Sequence, residues 1–304
     1  MKPKRIVIGV DFSDGSIAAA LWTAFHFAPK AEVILVHAIV IPQPPVFLEG
    51  RFPSRDLLMD TARSGASTRL SALAEKIGTG RARINVRTGD AAEEIDRAVR
   101  ENRADLIVIG KHGMRSGGWG GLGSTAQHLA RCSSVPVLLA SGMRDAPPAR
   151  LLAAVAEDDV SEWVLGWTRG LAERFGARVT IIHAVSHAVL SHMLSTVPQG
   201  HPAGSEAPDD PEIQEEFRMD ADRWLRRFAA ERVPVDHTDY VTAFGHPAEQ
   251  ILAAATRLDS DLIMLGNRHR GIVRRKLLGS VVAEVLHRAT RPVLVVSEPE
   301  DTLA

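Results

Sequence analysis

Apolar residues along the chain follow two rhythms. Short, nearly continuous runs rich in Val, Ile and Leu alternate with longer stretches in which apolar residues return every three or four positions. In the first half the runs are Arg5–Val10, Val33–Ala38, Arg83–Thr88, Leu106–Gly110 and Pro136–Ala140. Runs without polar alternation predict strands buried on both faces, the habit of a parallel sheet. The stretches between them predict helices over Gly15–Phe27, Asp56–Ile77, Ala91–Arg103 and Thr125–Cys132. The third carries its own start signal: Asp90 followed three residues later by Glu93 reads as a capping box, and Ile95, Ala98 and Val99 form its buried stripe. Strand and helix in alternation predict a mainly parallel sheet covered by helices.

The pattern occurs twice. Displaced by 156 positions, Gly89–Ala140 lies on Gly245–Val296 without a gap, and 15 of the 52 pairs are identical, among them Glu93/Glu249, Asp105/Asp261, Gly110/Gly266, Gly123/Gly279 and Ser124/Ser280. The fronts of the halves match at a displacement of 146, where Ala31–His37 lies on Ala177–His183. The difference falls in Ser186–Pro211, rich in Pro, Gly, Ser and His, which reads as a long loop. Such a duplication predicts two domains, residues 1–141 and 150–304, joined by a linker over 142–149 where Ala-Pro-Pro-Ala interrupts regular structure.

Composition narrows the class further. At 304 residues, 45% hydrophobic and 24% charged, the chain matches ordinary globular proteins. A formal charge of −1 lacks the broad positive field of a nonspecific nucleic-acid binder, so no nucleic-acid partner is expected. The longest nearly apolar run, Val33–Ile41, is about half of what a membrane helix needs, so no membrane partner is expected either. The basic start is followed by an apolar run that Asp11 ends after five residues, too short for a secretory leader, and the chain is expected to begin directly with its fold. Cys132, the sole cysteine, can form neither an intramolecular disulfide nor a multi-thiolate metal site, which suits a reducing cytoplasm.

Chemistry concentrates after the fourth run. There the chain reads Gly110-Lys-His-Gly113-Met-Arg-Ser-Gly-Gly-Trp-Gly-Gly-Leu-Gly123-Ser124 and then enters a helix. Strand, glycine loop and helix together suit a phosphate: glycines let backbone N–H groups approach the anion, and the helix N-terminus adds unpaired donors. Ser124 can add a hydroxyl. The loop is neither a Walker A loop, which needs Gly-Lys-Ser/Thr, nor the Gly-x-Gly-x-x-Gly of a dinucleotide fold.

The spacing Gly-x2-Gly-x9-Gly-Ser at Gly110, Gly113, Gly123 and Ser124 resembles the nucleotide-binding pattern of the universal stress protein family. The likeness extends to Val-Gly-Val-Asp11-Phe-Ser13, to Asp-Leu-Ile-Val-Ile-Gly110 and to Val-Pro-Val-Leu-Leu near the end of the half, and the second half repeats most of this. The resemblance implies two tandem doubly wound α/β domains, each a five-stranded parallel sheet of order 3-2-1-4-5 with helices on both faces, a Rossmann-like arrangement. Strands one and four are then neighbours where the winding reverses, and ligands of such sheets bind beyond the strands' carboxyl ends at that point. It also implies ATP, with or without Mg2+, as the cofactor. Val10, Asp11 and the region of Ala38 would surround the adenosine with Ser13 close by, and Gly113, Gly123, Ser124 and Thr125 would surround the phosphates next to Gly110. A plainer reading stays open, in which the glycines mark a tight loop and Asp11 only caps the helix starting near Ser13.

The second copy, Gly266-Asn-Arg-His269 through to Gly279-Ser280, keeps the outer glycines and the serine but places His269 where Gly113 stands. Glu157 takes the place of Asp11 on the ungapped displacement, or Asp158 and Asp159 if the alignment slips. An imidazole at 269 fills phosphate space, while Arg268, Arg270, Arg274, Arg275 and Lys276 either offer cations to an anion or are solvated loop charges. Domain two therefore reads as a degenerate copy. His183, His187, His192 and His201 are poorly spaced for zinc, and the match to His37 makes His183 a fold position. Cys132 is expected to be a buried small residue, Trp163 and Trp167 to pack in the core, and Trp119 to cover the phosphates or lie on a partner.

The resemblance thus implies a cytoplasmic, ATP-binding stress-response or regulatory protein. Its partners would be an adenine nucleotide and an unidentified protein, and its two domains would form an internal pseudo-dimer with Pro136–Ala140 beside Pro292–Val296, with or without a further homodimer. Two rival readings stay open. One is a slow ATPase, for which His112 is the sole titrating candidate near the loop; the other is a nucleotide-independent protein-interaction module.

Overall fold

The computed structural model describes residues 2–40, 53–78, 80–113, 121–186, 211–234, 236–268 and 278–298. It divides into two compact units at Pro147 and Pro148. The first holds β1 (Arg5–Gly9), α1 (Asp14–Trp22), a π-helical turn (Thr23–Phe27), β2 (Glu32–Ile39), α2 (Arg55–Ile77), β3 (Ala82–Thr88), α3 (Ala91–Asn102), β4 (Leu106–Gly110), α4 (Ser124–Cys132) and β5 (Val137–Ala140). The second holds β6 (Arg150–Val155), α5 (Asp159–Phe175), β7 (Arg178–Val185), α6 (Pro211–Ala230), β8 (Thr238–Phe244), α7 (Pro247–Arg257), β9 (Leu262–Asn267), α8 (Ser280–Arg288) and β10 (Val293–Ser297).

Within each unit the strands pair in parallel. The orders are β3-β2-β1-β4-β5 and β8-β7-β6-β9-β10, the 3-2-1-4-5 winding twice over. Ile6, Val7 and Ile8 point alternately to opposite faces of the sheet and all are buried, so helices cover both faces at its centre. Covering both faces removes polar alternation from β1 and β4, which is why their runs are continuous. The third strand departs from the expectation: β3 ends its sheet, and Ile84 on it is exposed.

The repeated Asp105/Asp261 pair has a structural duty. Asp105 Oδ2 accepts the N–H groups of Lys4 (2.7 Å) and Arg5 (2.9 Å), and Asp261 Oδ2 accepts those of Ala149 (3.0 Å) and Arg150 (2.9 Å). Each carboxylate, just before strand four of its half, pins the first residue of strand one beside it. Asp90 caps α3 as expected, accepting from Ala92 N and Glu93 N.

Two expectations need correction. Gly15–Phe27 is not one helix, because the α-helix ends at Trp22 and the chain closes a wider turn with Ala28 N donating to Thr23 O at 2.7 Å. The displacement between the halves also changes along the front. Arg5 pairs with Glu32 and Arg150 with Arg178, so strand one repeats after 145 residues while strand two repeats after 146. The extra residue of the second half lies between the two strands.

Candidate functional site

The carboxyl ends of β1 and β4 lie side by side, with β2 and β5 on their outer flanks, and the winding reverses between them. Asp11 stands two residues beyond β1. Its Oδ1 accepts the Ser13 N–H (3.0 Å) and the Ser13 hydroxyl (2.6 Å), and Ser13 Oγ in turn accepts Ser16 N at 3.2 Å. Ser13 is therefore the helix cap, and the plainer reading of Asp11 as the cap is replaced. The carboxylate orients the cap and lies toward the other strand. Between the two, Phe12 adopts a left-handed backbone, φ 67°.

The glycines that face this carboxylate have steric reasons. A β-carbon on Gly113 would lie 2.8 Å from Asp11 Oδ2, and one on Gly110 would lie 3.2 Å from Ser16 N and 3.3 Å from the Gly15 carbonyl carbon. Only residues without a side chain let β4 and the loop after it approach the turn after β1 this closely. The loop closes on itself, Gly123 N donating to Lys111 O (3.1 Å) and His112 Nδ1 to Gly121 O (2.7 Å). Gly123 then starts α4 with no side-chain cap, and Ser124 and Thr125 occupy its first turn. First-turn N–H groups of that kind are donors for an anion.

The wall on the β2 side is built from His37. Its Nδ1 donates to Val10 O at 2.7 Å, and its ring packs on Phe12 at 4.6 Å between centroids, with the Arg69 guanidinium 3.9 Å from the other ring. Val10 is buried and Ala38, next to His37, is half-buried. His183 repeats the bond to Val155 O at 3.0 Å, in keeping with a fold position, but packs on Trp224 of α6 instead. Val10, Asp11, Ser13, Ala38, Gly110, Gly113, Gly123, Ser124 and Thr125 thus border the ends of β1, β2 and β4.

The second half is built differently at the same place. By the strand register Ala156, not Glu157, occupies the position of Asp11, and Asp158 occupies that of the cap Ser13. Glu157 is exposed and corresponds to Phe12. Asp158 caps α5, accepting Ser161 N (2.8 Å) and Ser161 Oγ (2.7 Å), and pairs with Arg268 from the end of β9. Burial tends to raise its pKa, but the Ser161 hydroxyl, Arg268 and the Ser161 N–H outweigh burial and hold the carboxyl below its usual range. The ion pair thus bridges the ends of β6 and β9. Gly266 ends against Val160, and Gly279 N donates to Asn267 Oδ1 at 3.4 Å, so a side-chain amide closes the loop where Lys111 O does in the first half. Gly279 and Ser280 start α8 in the manner of Gly123 and Ser124. His269 lies outside the described residues, as do Arg270, Arg274, Arg275, Lys276, Trp119, His187, His192 and His201.

Sequence reasoning passed over Lys111, Asn267 and Ala156. Lys111 is only 7% exposed, and burial lowers its pKa. The signal for Ala156 needed the strand register, which a displacement read at strand two misses by one residue. Cys132, expected in the core, is exposed at the end of α4. Trp167 is buried and Trp163 half-buried. Among the described residues no group of three or more His, Cys, Asp or Glu could hold a metal, and no helix is long and apolar enough to cross a membrane.

Comparison with known proteins converges on one family. Residues 2–141 and 149–297 each match the profile of the universal stress protein family. A universal stress protein of Mycobacterium tuberculosis (strain ATCC 25618 / H37Rv) is 26% identical over 309 residues, covering 97% of this chain and 98% of the relative. One of Methanocaldococcus jannaschii is 34% identical over 89 residues, 29% of this chain and 51% of the relative. Among solved structures, a universal stress protein from Archaeoglobus fulgidus DSM 4304 shares the fold at a TM-score of 0.65 and 19% identity, over 98% of this chain and 97% of that one.

Proposed function

The chain belongs to the universal stress protein family, and from that premise we propose that its first half binds ATP and acts as a cytoplasmic stress-response or regulatory nucleotide sensor. The observation that carries this reading is the meeting of Asp11 with Gly113 at the reversal point between β1 and β4, where a β-carbon on Gly113 would strike the carboxylate. A ribose offers hydroxyl donors that suit a carboxylate, and a polyphosphate suits the glycine loop and the first turn of α4. Mg2+ would serve as a companion of the phosphates.

The reading is asymmetric. Domain two lacks the Asp11 carboxylate, and its capping carboxylate is already paired with Arg268. Rapid hydrolysis is not part of the proposal; near the loop, His112 Nδ1 is engaged by Gly121 O at 2.7 Å.

The test begins with mass spectrometry of small molecules released on denaturing the purified protein, expected to show ATP. Calorimetry then compares the natural chain with Gly123→Val. Gly123 has φ −62°, which any residue adopts, and an added β-carbon there makes only ordinary contact, its nearest neighbour being Lys111 O at 3.5 Å; a circular-dichroism melt accompanies the calorimetry to show that the variant is folded. Loss of binding is expected; unchanged ATP affinity in Gly123→Val would overturn the site.

A further inference from the structure

Phe12, between Asp11 and Ser13, carries a strain that its counterpart in the second half does not. Its φ of 67° lies in the left-handed region, an outlier for a bulky residue. Such a backbone persists only where its surroundings impose it, and it collects at ligand clamps. Glu157, at the same position of the second half, is exposed and has no left-handed backbone. In the first half the Phe12 ring is buried and packs on His37 at 4.6 Å. In the second half Trp224 of α6 takes that place, its ring 4.7 Å from His183.

The strained ring carries a cation. Arg69 of α2 lays its guanidinium over Phe12, 3.9 Å from the ring centre. Arg69 and Trp224 correspond, each preceding a fully buried leucine, Leu70 and Leu225. The second half therefore has an indole where the first has a guanidinium. Arg226 and Arg232 also stand over rings, but each is paired with a carboxylate, Asp222 and Glu162. Arg69 is exposed, and among the described residues no carboxylate pairs with it. Guanidinium donors lie in the plane of the group, so a contact through its face leaves them unspent, in the fork that receives a phosphate.

We propose that Arg69 is a specificity residue of the first-half site, and that the ligand it selects is an adenine nucleotide bearing a further phosphate on its ribose. This rests on the nucleotide reading above. The glycine loop and the first turn of α4 follow β4, and the 5′ phosphates belong there. Arg69 stands on the other side of β1, over a ring that packs on β2. A nucleotide with its 5′ phosphates on the loop directs its nucleoside away from β4, across the end of β1 and toward β2. The guanidinium at that end has no 5′ phosphate to meet. A phosphate on one ribose hydroxyl supplies the anion and leaves the other hydroxyl for the Asp11 carboxylate. Alone, that carboxylate would repel such a phosphate, and the cation over the adjacent residue offsets the repulsion.

Calorimetry of the full chain with ATP, AMP, adenosine 2′,5′-bisphosphate and adenosine 3′,5′-bisphosphate tests the proposal. One of the bisphosphates is expected to bind about tenfold more tightly than AMP, from which each differs by a single phosphate. Arg69→Ala changes an exposed side chain, and a circular-dichroism melt shows that it is folded. It should bind AMP and ATP within twofold of the natural chain, yet hold the bisphosphate no more than twofold more tightly than AMP. Equal affinity of the natural chain for AMP and both bisphosphates, or a preference that survives Arg69→Ala, would overturn the role of Arg69 and leave the nucleotide reading standing. So would an equal loss of AMP, ATP and bisphosphate in Arg69→Ala, since the cation would then serve the 5′ phosphates. Failure of all four nucleotides to bind the natural chain would overturn both readings.

Discussion

At the scale of single residues, the contrast between Asp11 and Asp158 explains most of the difference between the halves. Asp11 Oδ1 orients the cap Ser13 and the carboxylate confronts Gly113; Asp158 is itself the cap and is neutralised by Arg268. Gly113→Ala places a β-carbon 2.8 Å from Asp11 Oδ2, so the carboxylate must move. We expect ATP affinity to fall about tenfold, or about 1.4 kcal/mol, by calorimetry. Asp158→Asn separates charge from capping, because asparagine caps helices as well as aspartate does. Arg268 is substantially exposed, so solvent screening limits the cost to below about 1 kcal/mol in urea unfolding at neutral pH. The sign with pH follows from the lowered folded pKa of Asp158. Its stabilisation is fully present above the unfolded value of 3.8 and is lost as pH falls through the lower folded value, so the two proteins should converge there. A gap that widens in acid would contradict the assignment.

Elements show how local signals and tertiary demands divide the work. The start of α3 is a local matter: Asp90 accepts two first-turn N–H groups, and Asp90→Ala should cost about 1 kcal/mol by urea unfolding without altering ATP affinity. The end of α1 is not local. Apolar periodicity runs on through Phe27, so the sequence reads as one helix, yet the chain widens after Trp22. Ala146 and Asp145 contact Trp22 and His26 from more than a hundred residues away, and no window of sequence contains both partners. Strand three differs, since Arg83-Ile-Asn-Val-Arg-Thr88 already alternates polar with apolar residues, while its place at the end of the sheet leaves even Ile84 exposed.

For the whole molecule, duplication sets the expectation of two sites and the register withdraws one. We expect calorimetry at neutral pH to give one ATP per chain. Gly279→Val, whose backbone at φ −57° accommodates valine and whose added β-carbon meets nothing closer than 3.9 Å, should leave that stoichiometry unchanged. Two equal sites, each abolished by its own valine, would refute the asymmetry.

The duplicated α/β architecture, the family and the glycine loop on its strand end were all legible in the order of residues. These follow from patterns that are local or repeat at fixed spacing: continuous apolar strands, capping residues, and Gly110, Gly113, Gly123 and Ser124 in order. Which residues meet is a matter of folding contacts between distant parts of the chain. That Gly113 must be glycine depends on Asp11, which is 102 positions away, and that Ala156 rather than Glu157 replaces Asp11 depends on the pairing of β6 with β7. A shift of one residue exchanges a carboxylate for a methyl group, because strand register, unlike helix propensity, is set by the partner strand.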